Sequence, residues 1–324
     1  MRHLDDLEIG AMFWAGRDPH ETLRELKSLG VRCGQLGIAG DMPLEGAAAR
    51  WKQALDDEDF AVATVFAAYD GESYADIPTV QRTVGFVPPA TRAEREARTL
   101  AVSDFAAQLG VPGIATHIGF VPDDPAAEDY VAVLEMVRRV CDRAAAHGQT
   151  FALETGQEPA PVLSAFLLAA NRSNLRINFD PANMILYGTG DPIAALGILA
   201  PHVATVHCKD GDWPPANVPG ALGCESALGQ GSVGMERFIA KLKEIGYHGP
   251  LTIEREASDP VQRKTDIAMG AALLRGLTAA ERVRHVTVFR VHQSRRGTGK
   301  HSWGRSSYLR RLHFPNGIGL DPAS

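Results

Sequence analysis

Over the first 280 residues, short apolar runs alternate with longer segments whose apolar residues recur every three to four positions. Short apolar runs bounded by turn residues are typical of buried strands, and the longer period indicates amphipathic helices. The runs predict eight strands, at Leu7–Ala15, Val31–Ala39, Ala61–Tyr69, Val111–Ile118, Thr150–Glu154, Arg176–Asp180, Val203–His207 and Pro250–Glu254. Helices are predicted between and after them near Pro19–Leu29, Glu45–Asp57, Arg92–Leu109, Ala126–His147, Pro159–Asn171, Pro192–Leu199, Met235–Ile245 and Pro260–Leu277.

Eight strand–helix units in succession favour a closed barrel of parallel strands surrounded by helices. A doubly wound open sheet is the alternative, and such a sheet normally carries a glycine-rich phosphate loop after its first strand. The residues at that place, Met12 to Gly16, do not form such a loop. We therefore predict an α/β protein with a (β/α)8 barrel over residues 1–280.

Residues 281–324 differ from the rest of the chain in charge and in pattern. They contain nine Lys/Arg against two Asp/Glu, and their apolar residues show no sustained period. The first 280 residues contain 24 Lys/Arg against 37 Asp/Glu, so the net charge of −6 combines an acidic body with a basic end. We predict that residues 281–324 are a basic, poorly ordered C-terminal extension outside the barrel domain.

Composition limits the partners and the location of the protein. The chain is 45% apolar and 22% charged, as is typical of a globular protein. No run approaches the about 18 apolar residues of a membrane span, and the first residues lack the apolar segment of a signal peptide. The four cysteines show no CxxC spacing and fit free thiols in a reducing cytoplasm. We expect a cytoplasmic protein with no membrane partner, and the acidic body argues against nucleic acid. The sequence leaves a homo-oligomer open.

Four of the predicted strands end on residues that can bind a divalent metal. The runs read Phe-Ala-Leu-Glu154, Ile-Asn-Phe-Asp180, Ala-Thr-Val-His207 and Leu-Thr-Ile-Glu254. Adjacent parallel strands lie about 4.8 Å apart, and in a barrel their ends converge. The sequence therefore predicts a metal site formed by these four side chains.

This ligand set supplies mainly oxygen atoms and one imidazole. Such a set suits Mn²⁺, Mg²⁺ or Co²⁺ better than a cysteine-rich structural zinc site. We expect Mn²⁺ first, with Mg²⁺, Co²⁺ or Zn²⁺ as alternatives. In the simpler interpretation, Asp180 caps the following turn, His207 is a core histidine, and Glu154 and Glu254 pair with arginines such as Arg255.

The longest connection between a predicted strand and a predicted helix runs from Lys209 to Gly234 and is rich in Gly, Pro and Asp. Long loops in compact domains usually carry function, and this one follows the strand that ends on His207. We expect it to lie over the predicted metal site, although an ordinary variable loop is the alternative.

Five segments resemble the sugar phosphate isomerase/epimerase family, the xylose-isomerase-like TIM barrels. They are LETGQE at 153–158, NFDPAN at 178–183, VHCKD at 206–210, GQGSV at 229–233 and GYHGPLTIE at 246–254. The resemblance covers residues 7–277 and is most specific between 150 and 256. It implies that Glu154, Asp180, His207 and Glu254 bind the metal, and that Glu154 and Glu254 remove and return a proton on one carbon of a carbohydrate.

Four further residues are candidates for substrate binding. His117 ends the fourth strand and is expected to point into the same mouth, and Lys209 and Arg255 could bind a phosphate or carboxylate. Asn183 falls where several ketose epimerases of the family place a histidine, which affects the expected substrate contact more than the metal.

We predict a metal-dependent sugar isomerase or epimerase that abstracts a proton next to a carbonyl. The first alternative keeps the site and changes the outcome: a dehydratase, or a lyase acting on a keto-inositol or 3-keto-glycoside. A DNA-repair endonuclease of the same superfamily needs additional histidines that Asn183 and the segment 210–213 do not supply. A non-catalytic sugar-binding barrel would be expected to lack a metal ligand, and all four are present.

Overall fold

Eight parallel strands close into a barrel with helices between them, which confirms the predicted fold class. The structure is a computed structural model that describes residues 4–294, with side chains described through residue 279. The barrel strands are β1 (Ile9–Trp14), β2 (Cys33–Ile38), β3 (Ala61–Ala67), β4 (Gly113–Thr116), β5 (Thr150–Glu154), β6 (Leu175–Phe179), β7 (Val203–Cys208) and β10 (Leu251–Ile253). Their order around the barrel is β1-β10-β7-β6-β5-β4-β3-β2. Strands β8 (Asp210–Asp212) and β9 (Cys224–Ser226) form an antiparallel hairpin outside it.

Helices connect the strands and cover the outside of the barrel. They are α1 (Pro19–Ser28), α2 (Ala47–Asp57), α3 (Ile77–Thr83), α4 (Arg92–Leu109), α5 (Glu128–Ala146), α6 (Ala160–Ala170), α7 (Pro181–Tyr187), α8 (Pro192–Leu199), α9 (Met235–Glu244) and α10 (Pro260–Ser294), with a 3₁₀ turn at Ala200–His202. Of the helices described, none is both long and apolar enough to cross a membrane.

Helices α3 and α7 were not expected from the sequence. Each begins after an aspartate whose carboxylate accepts a backbone N–H, from Thr79 to Asp76 at 2.7 Å and from Asn183 to Asp180 at 2.9 Å. Such side-chain caps satisfy amide groups that the first helical turn leaves free. Seven residues are too few to show a helical period, so the cap was the only signal available.

Helix α10 is longer than predicted, because it continues past Leu277 to Ser294. No glycine or proline interrupts residues 277–296, so nothing local ends the helix where the apolar period fades. The chain divides into two units, Met1–Glu281 and Arg282–Ser324. The prediction of a basic, poorly ordered extension covers residues 281–324, of which 295–324 lie outside the described part of the chain, and it stays a prediction.

The two-residue repeat of the strands sorts the barrel's side chains into an outer and an inner set. Outward-facing residues such as Leu36, Val65 and Phe151 are fully buried in the main core. The four predicted ligands are the last residues of the inner set. The residue two positions before each of them is small or polar, and these residues are Ala152, Asn178, Thr205 and Thr252. Because side chains i and i+2 face the same way on a strand, these residues form the layer beneath the ligands.

Candidate metal and active site

The structure brings the four predicted ligands together at the carboxyl ends of the strands. One ligand atom from each of Glu154, Asp180, His207 and Glu254 lies within 4.8 Å of the other three. Glu154 is the last residue of β5, Asp180 and Glu254 directly follow β6 and β10, and His207 lies in β7. Carboxyl ends of barrel strands are where catalytic residues of this architecture are found.

The imidazole of His207 lies in the middle of the three carboxylates. Its Nδ1 is 2.7 Å from Glu154 Oε1, 3.1 Å from Glu254 Oε2 and 3.5 Å from Asp180 Oδ2. Asp180 Oδ2 is buried and has no hydrogen-bond partner among the described residues. A buried oxygen without a partner is costly, and three carboxylate oxygens with one imidazole are a donor set for a divalent cation. The cluster therefore fits a divalent metal.

Burial disfavours every charge in this cluster, and the neighbouring groups decide which charges persist. Burial alone would lower the pKa of His207, but Glu254 and Glu154 raise it well above its ordinary value. Burial would raise the pKa of Glu154, yet His117 and His207 bring it down to about 2. For Asp180 burial prevails and raises the pKa to about 6. Three buried carboxyl groups thus share the single His207 ring at their centre, and a bound dication would replace the ring proton as their counter-charge.

A network of amides beneath the cluster holds the His207 ring. Gln35 Oε1 lies 3.2 Å from His207 Nε2, and Gln35 Nε2 donates to Asn178 Oδ1 at 3.0 Å. Thr205 Oγ1 donates to the same Asn178 oxygen at 2.7 Å, and Asn178 Nδ2 donates to Glu154 Oε1 at 3.3 Å. The Gln35 oxygen can hold a ring proton on Nε2, so loss of the Nδ1 proton would leave Nδ1 to bind a cation.

The fourth strand brings His117 to the cluster, as predicted. Its Nε2 lies 2.7 Å from Glu154 Oε2, and its Nδ1 lies 3.3 Å from Gln157 Nε2. Burial would lower the pKa of His117, but the Glu154 carboxylate raises it to about 9. The ring is therefore a cation at neutral pH that holds one oxygen of Glu154.

A cavity of ≈ 290 Å³ opens above the cluster. His117, Asn183 and Lys209 line it, so three of the four predicted substrate contacts lie where a substrate would bind. Lys209 Nζ is 3.1 Å from Glu254 Oε2 and 2.9 Å from Glu256 Oε2.

Arg255, the fourth predicted substrate contact, does not line this cavity. Its guanidinium pairs with Glu225 Oε2 and with Asp266 Oδ2, each at 2.8 Å. The backbone N–H of Glu256 also donates to Glu225 at 3.0 Å. Arg255 therefore ties the β8–β9 hairpin to β10 and α10 within this structure.

The long loop after His207 lies over the cluster, and hydrogen bonds to the Asp210 carboxylate hold it there. Asp210 Oδ1 accepts the backbone N–H of Val233 at 3.1 Å, and its Oδ2 accepts that of Gly229 at 2.9 Å. A Cβ at Gly231 would lie 2.4 Å from Asp210 Oδ1, so a side chain there would displace the carboxylate. Leu222, Gly223 and Glu225 of this loop line the cavity.

Comparison with known proteins agrees with this geometry. The chain matches the family model described as a xylose isomerase-like TIM barrel over residues 23–277. It belongs to the xylose isomerase-like TIM-barrel family. A xylose isomerase domain protein from Planctomyces limnophilus is 45% identical, with 84% of this chain and 97% of that chain covered and a TM-score of 0.79.

More distant solved structures share the fold. A xylose isomerase-like TIM barrel protein from Mycobacterium smegmatis, solved in complex with magnesium, is 19% identical over 85% of this chain and 97% of that chain, with a TM-score of 0.62. The 3-keto-D-glucoside 4-epimerase from E. coli is 17% identical over 83% and 99%, with a TM-score of 0.61. Other neighbours at 15–20% identity include ketose epimerases and a protein assigned as a 3-DHS dehydratase. No protein of curated function matches the chain significantly.

Several residues that line the cavity or contact the cluster were not predicted from the sequence. Glu72 and Tyr74 come from the connection after β3, and Tyr187 comes from the end of α7. Tyr74 lies 5.8 Å from the His117 ring, measured between centroids. The unusual length of the connection from Asp70 to Pro89 was a signal that could have found the first two. Gln35 gave no signal, because a glutamine within a strand is ordinary until its partners are known.

Proposed function

We propose that this protein is a divalent-metal-dependent isomerase or epimerase that moves a proton on a carbon next to the carbonyl of a sugar, keto-sugar or sugar phosphate. The observation that carries the proposal is the cluster of Glu154, Asp180, His207 and Glu254 with its unpaired Asp180 oxygen. A divalent ion held there supplies Lewis-acid polarisation of a carbonyl. We expect Mn²⁺, with Mg²⁺, Co²⁺ or Zn²⁺ as alternatives, because the set is rich in oxygen.

In this proposal, Glu154 and Glu254 exchange the proton. Strands β6 and β7 separate β5 from β10 in the barrel, so Glu154 and Glu254 approach the cluster from different sides. Nearby cations lower the pKa of both carboxyl groups, and burial opposes this shift. An ionised carboxylate can accept a proton from carbon, and such general base catalysis typically contributes about 10²–10⁴-fold. One glutamate would remove the proton and the other return it.

The remaining polar groups would orient the substrate. His117, Asn183 and Lys209 line the cavity and can donate hydrogen bonds to hydroxyl or carbonyl oxygens. We infer that Arg255 does not contact the ring that reacts at the cluster, because its ion pairs with Glu225 and Asp266 hold the loop that covers the site.

Elimination and binding without chemistry remain the alternatives to this reaction. A dehydratase or lyase would begin with the same proton removal and differ when a leaving group lies on the adjacent carbon. A non-catalytic sugar-binding barrel does not require two ionised glutamates beside a complete ligand set. The cytoplasmic location and a homo-oligomeric state stay predictions from the sequence.

Turnover in deuterated water tests the proposal. The Mn²⁺-loaded protein would be incubated with a panel of ketoses, keto-inositols and 3-keto-glycosides, and the products followed by NMR. We expect an epimer or isomer with deuterium at the reacting carbon. Loss of water or cleavage of a glycosidic bond would identify the lyase alternative. Binding without any deuterium incorporation or product would contradict an enzymatic function.

A further inference from the structure

A second cavity adjoins the one above the cluster. Its volume is ≈ 450 Å³, and it lies between α1, the end of β1 and the first turns of α10. Met12, Trp14, Glu254 and Glu256 line both cavities. The first cavity alone, at ≈ 290 Å³, is at the lower end of small-molecule sites, which span about 300–1,000 Å³. Because Glu254 stands at the shared edge, a molecule that reacts at the cluster can continue into the second cavity.

An exposed tryptophan forms the boundary between the two cavities. Trp14 is 49% exposed although it ends a barrel strand. A Cβ at Gly37 would lie 2.6 Å from Cε3 of the indole, so the ring rests against the β2 backbone at a position where only glycine leaves room. An indole offers a large rigid apolar surface and a polar N–H. The C–H face and the hydroxyl groups of a sugar ring complement these two features.

The charges around the second cavity balance. Its lining contains three carboxylates and three cationic side chains, namely Glu25, Glu254, Glu256, Arg255, Arg263 and Lys264. This balance does not select a strongly charged ligand.

Two groups in the second cavity can bind a neutral polar ligand. Within the described residues the Arg263 guanidinium has no ion pair or side-chain hydrogen bond, and it carries five N–H donors. Lys264 and Glu25 pair at 2.6 Å across the cavity between α10 and α1, with side chains nearly half exposed. An ion pair exposed to this degree contributes little by itself, so hydroxyl groups can compete for it.

We propose that the second cavity is a subsite for a neutral sugar ring linked by a glycosidic bond to the ring that reacts at the cluster. The inference rests on the proposed function, since it takes the reacting ring to be a keto-sugar. It narrows the substrate class from sugars in general to keto-glycosides of disaccharide size. Trp14 would lie against the linked ring, and Arg263 and the Lys264–Glu25 pair would bind its hydroxyl groups.

Two compounds with the same reacting ring test the subsite. Methyl 3-keto-α-D-glucoside and 3-keto-trehalose share the keto ring and its α-linkage and differ in the aglycone, a methyl group against a glucosyl ring. Binding to the Mn²⁺-loaded protein would be measured by isothermal titration calorimetry. We expect the disaccharide to bind about tenfold more tightly, which corresponds to one or two net hydrogen bonds. Arg263→Ala and Lys264→Ala, each checked for an unchanged melting temperature, should reduce this preference, and Arg50→Ala on α2 is the matched control.

The outcomes test the proposed subsite and the proposed reaction separately. Equal affinity for the two compounds, or a preference that survives in both variants, would overturn the subsite even if the methyl glycoside is turned over. A preference that Arg263→Ala abolishes would support the subsite even if neither compound reacts, and the proposed reaction would then be wrong. If neither compound binds, both proposals fail for keto-glycosides.

Discussion

Two clusters of charged side chains in this protein are arranged in opposite ways. One has a carboxylate at its centre and the other has an imidazole. On the outer surface, Glu58 follows α2 and meets three basic side chains of α1: Arg24 Nε at 2.7 Å, Lys27 Nζ at 3.0 Å and His20 Nδ1 at 3.4 Å. Inside the mouth of the barrel, three carboxylates surround the single imidazole of His207.

The difference shows which cluster is complete within the protein. Surplus cations at the surface, such as the exposed Arg24, are solvated by water and salt. The carboxylates around His207 are buried, where solvation is lost and an unpaired charge is expensive. His117 and Lys209 pair with Glu154 and Glu254 but not with Asp180. Asp180 Oδ2 is the atom that shows this incompleteness, because it is buried and has no hydrogen-bond partner among the described residues. The Glu58 cluster joins α1 to the end of α2, whereas the His207 cluster leaves one buried carboxylate oxygen without a hydrogen bond.

The largest expected effect is on the reaction rate, which should depend on the glutamates around His207 and not on Glu58. Glu154→Gln and Glu254→Gln each keep one carbonyl oxygen while removing a basic carboxylate, so the rate should fall about 10²–10⁴-fold. Mn²⁺ affinity should fall much less, because the lost interaction belongs mainly to the transition state. Glu58→Gln is the control in the other cluster and should leave the rate unchanged. Steady-state kinetics and Mn²⁺ titration measure the two quantities, and Gln variants with undiminished rates would show that neither glutamate is the base.

Asp180→Asn should separate metal binding from folding. Asparagine keeps the oxygen that caps α7 and replaces the unpaired oxygen with an amide NH₂. Removal of a residue that only hydrogen-bonds to a metal ligand typically lowers metal affinity about 10–100-fold. Removal of the Asp180 oxygen should lower the Mn²⁺ affinity by more than that. In the presence of EDTA the melting temperature should stay or rise, because burial already raises the pKa of this carboxyl. Undiminished Mn²⁺ affinity by calorimetry would place the ion elsewhere.

Gln35→Leu should weaken metal binding from a distance. The change removes the acceptor on His207 Nε2, so Mn²⁺ affinity should fall about 10–100-fold. The ¹⁵N chemical shifts of the His207 ring, recorded without metal, should change as well, which a purely structural role would not require. Gln53→Ala, an exposed glutamine on α2, is the matched control. Wild-type affinity and ring shifts in Gln35→Leu would contradict this positioning role.

The smallest expected effect is the acid dependence of the Glu58 cluster. The hydrogen bond from Lys27 comes first among the causes that lower the pKa of Glu58 to about 2, followed by Arg24 and His20 against opposing burial. A lowered pKa means that this stabilisation is complete above the ordinary value of 4.5 and is lost as the pH falls towards 2. Urea unfolding between pH 5 and pH 3 should therefore show a smaller loss of stability in Glu58→Gln than in the wild type. Identical pH slopes would show that the contacts with α1 do not stabilise the fold.

The sequence alone was sufficient for the barrel and for the convergence of four metal-binding residue types at its mouth, because both depend on local pattern. Strand periodicity, Gly-terminated helices and the position of each ligand at a strand end lie within a few residues of one another. Once parallel strands close into a barrel, their carboxyl ends must share one mouth, so Glu154, Asp180, His207 and Glu254 had to converge.

Tertiary structure decided what depends on distant partners and on the direction of individual side chains. Gln35 reaches Asn178 across 143 positions of sequence, and no local pattern marks such a pair. Arg255 adjoins Glu254 in sequence but does not line the cavity above the cluster, because its guanidinium pairs with Glu225 and Asp266, which lie far from it in sequence or on another element. The second cavity exists only where α1, β1 and α10 meet, so its shape follows from how these elements pack, and local sequence does not encode that packing.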